Sequence, residues 1–205
     1  NGEISNEVSY AVIRNLYFDK DRIDVGELLL KEAMNSLGED NRVYAFFHYF
    51  GMSCFARHGK LFENCIHIEA LLKEKGFEIE HENVYYSSVL SGNESSEVTI
   101  TANDITKGNQ QYVDFKIDGN HVGGCEIHYL SENIAYLRWI YVNGDIVGKG
   151  VGTKCIMALK KFLYEKGICQ FDTDTAHDNI VAQHYYEKND FIREGVTRSY
   201  YKNCR

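Results

Sequence analysis

Four glycines fall within nine positions of this chain, at 144, 148, 150 and 152, between an apolar stretch and an amphipathic one. Residues 135–142 (A-Y-L-R-W-I-Y-V) read as a strand. Residues 154–166 (K-C-I-M-A-L-K-K-F-L-Y-E-K) return an apolar side chain every three or four positions and read as a helix. Glycine lets a backbone turn sharply and lets an anion approach its amides. A helix N-terminus adds unpaired N–H donors and a partial positive charge. Strand, glycine turn and helix together make a cradle suited to a pyrophosphate, with Lys149 and Lys154 adding charge beside it. The glycine spacing is neither G-x-G-x-x-G nor a turn ending in G-K-[ST], so the common dinucleotide and nucleotide-triphosphate loops are set aside.

Apolar residues make up 44% of the chain, enough for a sizeable core, and the absence of proline leaves every turn to Gly, Asn, Asp or Ser. The cysteines (Cys54, Cys65, Cys125, Cys155, Cys169, Cys204) form no C-x-x-C pair. That argues against a metal site or a disulfide scaffold and for free thiols in a reducing, cytoplasmic setting. No run of eighteen apolar residues and no signal-peptide pattern occurs, so no membrane partner is expected. A net charge of −8 argues against nucleic acid as a partner, because phosphate-backbone affinity needs Lys and Arg.

A second stretch, residues 178–191 (D-N-I-V-A-Q-H-Y-Y-E-K-N-D-F), places positions 179, 182, 183 and 186 on one helical face. It resembles motif B of the GCN5-related N-acetyltransferases in Asn179, Ala182, Tyr186, Glu187, Lys188 and Phe191, with Asp190 where that family has Gly. The segment V-G-K-G-V-G (147–152) resembles the family's motif A, (Q/R)-x-x-G-x-(G/A), with Val147 at the basic or amide position and Gly144 in place of a common Pro. The resemblance implies an α/β (α+β) fold, a mixed and mostly antiparallel twisted sheet with flanking helices. It also implies acetyl-CoA as co-substrate and a primary amine as acceptor. By the same resemblance, Ile140, Tyr141 and Val142 would grip the pantetheine arm together with Asn179. Val147, Gly148, Lys149, Gly150, Val151, Gly152 and Thr153 would hold the pyrophosphate, and Tyr186 would be the general acid. Tyr185 is its neighbour, turned about 100° away on a helix. The base stays open: Glu126, with His128 on the same strand face, ranks ahead of Asp172 (Asp174 ends the same strand), and a chain of waters is an alternative. A non-catalytic module that binds an acyl-CoA would need the same cradle.

Residues 9–30 lie on residues 133–154 without a gap, Ala11 meeting Ala135, Arg14 meeting Arg138, Tyr17 meeting Tyr141 and Gly26 meeting Gly150. A helix ending near Gly38, a strand at 42–47 and a helix at 67–77 then repeat the later order, a partial internal duplication. Residues 1–90 therefore read as a degenerate half-domain without cofactor, forming the acceptor-side wall, and residues 91–205 as the catalytic domain, joined by a Ser/Asn/Gly/Glu-rich linker at 87–97. In the first half, Asp24, Glu27 and Leu28 stand where the cradle needs open space. The connection at 103–111 (N-D-I-T-K-G-N-Q-Q) is too short for a pair of helices, and D-G-N (118–120) signals a hairpin. Residues 48–61 (H-Y-F-G-M-S-C-F-A-R-H-G-K-L) are rich in His, Cys and Arg without metal-ligand spacing, and read either as acceptor-pocket lining or as a packed loop. Residues 1–90 carry 15 acidic against 9 basic groups and residues 91–205 carry 15 against 13, so the acidity gathers in the first half and favours a small cationic acceptor. A monomer or a homodimer fits this reading.

Overall fold

The structure, a computed structural model, describes residues 11–37, 42–47 and 57–204. The chain divides into two compact units, one drawn from Asn1–Glu82 and Val196–Arg205, the other Asn83–Gly195.

In the first unit, strand β1 (Ala11–Ile13) is followed by helix α1 (Ile23–Leu37) and pairs in parallel with β2 (Arg42–Ala45). Strand β3 (Leu61–Phe62), helix α2 (Ile66–Glu74) and the first half of β4 (Glu78–Val89) follow. The C-terminal strand β10 (Ile192–Asn203) runs antiparallel to both β2 and β3. The core of this unit is Leu30, Val43, Ala45, Ile68, Leu71, Leu72, Phe77 and Tyr200. Arg198 ties β10 to α2 and β4 through Glu69 and Glu82.

In the second unit, β5 (Thr99–Ala102), β6 (Gln110–Ile117), β7 (Asn120–Tyr129) and β8 (Ile134–Val142) form an antiparallel meander. Helix α3 (Val151–Glu165) leads to β9 (Gln170–Ala176), which is parallel to β8 and antiparallel to the second half of β4, and helix α4 (Ile180–Lys188) precedes β10. Each unit thus holds a mixed, mostly antiparallel sheet with flanking helices. Residues 103–109 form turns only, and the 118–120 hairpin is built on Asp118 and Gly119, both at positive φ (49° and 79°), the geometry of a tight primed turn.

Helix α3 buries Cys155, Ile156, Leu159, Lys160 and Leu163, one stripe at steps of three and four. They meet Phe115, Ile127, Leu137 and Phe171 from the sheet. Two expectations are adjusted here. Helix α3 starts at Val151, earlier than its apolar periodicity suggests, because Gly150 at φ 79° caps it and winds residues 151–153 into the first turn. Residues 87–89, read from composition as part of a linker, end strand β4. Ser88 is buried there because its hydroxyl accepts a hydrogen bond from Lys160 Nζ at 2.9 Å. The same ammonium donates to the Asn189 carbonyl at 2.6 Å and lies 4.7 Å from the Phe191 ring centre, and burial pushes its pKa down.

Candidate active site

The site of the second unit begins where β8 and β9 stop pairing. Their parallel register ends at Leu137–Thr173, while the strands run on to Val142 and Ala176, so the sheet forks there. The cause is local. Glu126 faces Trp139 and Ile127 faces Leu137, leaving Arg138 as an extra residue in β8, and a bulge of this kind bends its strand and raises the local twist. Thr173 Oγ1 donates to the Leu137 carbonyl at 3.0 Å and fastens the crotch of the fork.

Beside the fork stands the N-terminus of α3. The turn before it has Gly148 and Gly150 at φ 81° and 79°, a region that L side chains rarely adopt. A Cβ at either would find no atom within 4 Å, so open space surrounds both. The first intrahelical bond runs from Lys154 N to Gly150 O, which leaves the amides of residues 151–153 as free donors.

Helix α4 closes the opposite wall. Asn179 caps it, its side chain accepting from Ala182 N at 3.2 Å. Gln183 donates to the His177 carbonyl at 2.7 Å and pins the loop from β9. Just past the helix, Asp190 sits at φ 61° where the resembled motif has glycine; Asp is one of the few side chains that tolerate this left-handed conformation. Tyr185 Oη donates to the Gly152 carbonyl at 2.8 Å, fastening α4 to the first turn of α3. Tyr186 is 6% exposed, its ring between Tyr86 and Phe191. Burial raises its pKa, and Thr173 beside it acts in the opposite sense.

These elements enclose a cleft of about 530 Å³. Of the residues singled out from the sequence, Ile140, Tyr141, Val142, Val147, Gly148, Gly150, Gly152, Thr153, Asn179 and Tyr186 line it. Lys149 and Val151 do not line it: Lys149 is exposed and Val151 packs partly against the core. Lys154 pairs with Glu97 at 2.6 Å. Val181, Ala182, Tyr185 and Lys188 line the cleft without having been named as site residues. Positions 181, 185 and 188 step by four and three along α4, so the periodicity of the helix held the signal.

Neither base candidate lines the cleft. The Glu126 carboxylate accepts from Arg138 Nη1 at 2.9 Å and Trp139 Nε1 at 2.9 Å, with His128 Nε2 at 2.6 Å. Burial by itself would raise its pKa, but these three partners together outweigh it and hold the carboxyl below its ordinary range. A carboxylate so engaged is a weak proton acceptor. Asp172 accepts from Tyr85 Oη at 2.7 Å and from Gln170 Nε2 at 2.9 Å, and Asp174 accepts from Tyr136 Oη at 2.6 Å. Of the segment 48–61, residues 48–56 lie outside the described residues, and Arg57 stacks on the Phe62 ring at 4.7 Å.

A family model described as Acetyltransferase (GNAT) family matches residues 79–191, the span that holds fork, cradle and capped helix. The chain belongs to the GNAT acetyltransferase family. Solved GNAT structures share its fold at low identity. A GNAT-family acetyltransferase from Colwellia psychrerythraea superposes with a TM-score of 0.61 at 13% identity, covering 94% of this chain and 78% of that one. A GCN5-related N-acetyltransferase from Kribbella flavida gives 0.60 at 12% identity, covering 90% and 77%. A tandem GNAT protein from the clavulanic acid biosynthesis pathway gives 0.60 at 9% identity, covering 90% and 71%. A comparison with curated proteins finds no match. Among the described residues of this GNAT chain, no helix is long and apolar enough to cross a membrane.

Proposed function

We propose that this GNAT protein is an N-acetyltransferase that uses acetyl-CoA to acetylate a primary amine of a small cationic acceptor. The observation that carries the reading is that Tyr186 lines a cleft set between a strand fork and the bare N-terminus of α3. Bound acetyl-CoA would supply an acetyl group activated as a thioester. The residues present fit it: the glycine turn leaves room for phosphates, and the amides of residues 151–153 offer donors to them. Lys188 adds the positive charge that Val147 cannot. The unpaired edge of β8 at Ile140, Tyr141 and Val142 offers backbone groups to an extended arm, and Asn179 keeps its Nδ2 donors free while its oxygen caps α4. Tyr186, with its pKa raised by burial, keeps its proton at neutral pH and delivers it to the departing sulfur.

Among the described residues, no carboxylate and no histidine lines the cleft. The acceptor therefore sheds its proton to water before attack, and kcat/KM rises with pH toward the pKa of the amine. The same observation favours a second reading, a non-catalytic module that binds an acyl-CoA. Calorimetry with acetyl-CoA and a thiol-release screen of primary amines separate the two. Binding with release supports the enzyme, binding without release for any amine supports the module, and no binding removes both.

Support for a degenerate first half comes from α1 and its surroundings. The Phe18 ring lies where a Cβ on Gly26 would sit, 2.5 Å from Cζ, and so fills the space beside the first turn of the helix. Asp24 is paired with Arg22, and Glu27 with Lys75. Apart from the two-residue β3, which has no counterpart, the order β1, α1, β2, α2, β4 matches β8, α3, β9, α4, β10, with β1 and β2 parallel as β8 and β9 are. The expected stoichiometry is one acetyl-CoA per chain. The cytoplasmic setting rests on thiols: Cys65, Cys125, Cys155, Cys169 and Cys204 are all free.

A further inference from the structure

One face of the β6–β7–β8 meander carries a row of exposed aromatic rings that extends beyond the cleft. Tyr112 on β6, Trp139 and Tyr141 on β8 are 43%, 38% and 47% exposed. Their rings follow one another, Tyr112 to Trp139 at 6.2 Å between centroids and Trp139 to Tyr141 at 5.8 Å, tilted by 42° and 38°. Large exposed aromatics in a contiguous group mark a surface that binds something.

The sequence of β7 lays these rings down. Gly124 stands directly opposite Tyr141, and a Cβ there would come within 3.2 Å of Tyr141 Cε1. Glycine at 124 therefore lets the Tyr141 ring rest across β7. Two positions along, Glu126 faces both Tyr112 and Trp139, and its buried carboxylate accepts the indole N–H at 2.9 Å. Arg138 and His128 hold that carboxylate in turn. The indole is thus fixed before any ligand arrives, which lowers the entropy lost on binding.

Tyr141 also lines the cleft, so the row of rings begins where the cleft ends. The Glu126 charge is already met by Arg138, and Asp114 lies 3.4 Å from His121 Nε2. The row itself is built of ring faces, on which a flat apolar ring would stack.

We infer that this face is the acceptor platform, and that the amine acetylated carries a flat apolar ring that stacks on Trp139 with its amino group reaching past Tyr141 to the fork. The inference rests on the acetyltransferase reading for the site. Glu126 is then a positioning residue that orients Trp139.

Trp139 is the sole tryptophan of the chain, so its emission reports on the platform directly and without turnover. The full chain is titrated with phenethylamine, spermidine and glucosamine while tryptophan emission is followed, and KM and kcat are then measured for Trp139→Leu and Trp139→Phe. Phenethylamine should give a saturable emission change and spermidine and glucosamine none. Trp139→Leu should raise the KM for phenethylamine about tenfold with kcat and acetyl-CoA affinity kept, and Trp139→Phe should restore part of the loss. Unchanged emission with phenethylamine, an equal response to spermidine or glucosamine, or an unchanged KM in Trp139→Leu overturns the platform. Absence of acetyl-CoA binding to the unmodified chain overturns the acetyltransferase reading instead, and the emission titration is read independently of it.

Discussion

Tyr185 and Tyr186 are adjacent in sequence and both border the cleft, yet hydrogen bonding divides their work. The Tyr185 hydroxyl is committed to the Gly152 carbonyl, and burial raises its pKa strongly. Tyr186 has no such anchor in α3 and lines the cleft. Removing its hydroxyl in Tyr186→Phe should lower turnover about 100-fold with little change in acetyl-CoA affinity by calorimetry, the size of a lost general acid. The same change at Tyr185 should act on stability and cofactor affinity instead, since it loosens α4 from α3. Gly150→Glu places a side chain and a negative charge in the phosphate space and strains a φ of 79°, so calorimetry should detect no acetyl-CoA binding. Glu126 supplies a pH test. Its folded pKa is depressed, so its contribution to stability is complete above the unfolded value of about 4.3 and is lost as pH falls through the folded one. Trp139 emission should hold steady from neutral pH to about pH 4 and change only below it. In Glu126→Gln that acid step should vanish. A step centred near neutral pH would show that the carboxyl is not held by its donors.

Helix α4 shows how one element serves both fold and chemistry. Its cap, Asn179, satisfies an end amide through Oδ1 and presents its other atoms to the cleft. Asn179→Ala should cost about 1 kcal/mol in chemical denaturation and weaken acetyl-CoA binding. Asn179→Asp should keep the stability, because it keeps the cap, while still weakening the binding of an anionic cofactor. Two variants that lose stability and affinity in the same proportion would reduce Asn179 to a cap. The motif that marked this helix was legible in sequence because its face repeats at steps of three and four. The fork between β8 and β9 is a different case. Nothing in A-Y-L-R-W-I-Y-V announces that pairing stops after Leu137, since register is a property of two strands and one bulge.

At the scale of the molecule, the first unit takes its last strand from the far end of the chain. Residues Asn83–Val89 lie beside β9 in the second unit, and β10 completes the sheet of the first. Val84, Tyr85 and Tyr86 are fully buried there. At about 1.5–3 kcal/mol each, they weigh as much as the whole net stability of a domain, roughly 5–15 kcal/mol. A fragment of residues 91–205 holds both cofactor motifs but lacks this strand. It should show no cooperative thermal transition by circular dichroism. A fragment that melts like the full chain would mean that β9 does not need β4 beside it.

What the sequence determined by itself is local. The glycines of the cradle, the Asp118–Gly119 turn and the stripes of α3 and α4 follow from backbone dihedrals and side-chain periods within a few residues of each other. Only the tertiary structure decided what those elements meet. Glu126 reads as a free carboxylate until Arg138, His128 and Trp139 are seen around it. Ser87–Val89 reads as linker until β9 and Lys160 are beside it. Tyr112 and Trp139, far apart in sequence, become one surface only across β7. The reason is common to all three: hydrogen-bond partners and burial are set by residues distant along the chain, and no window of sequence contains them.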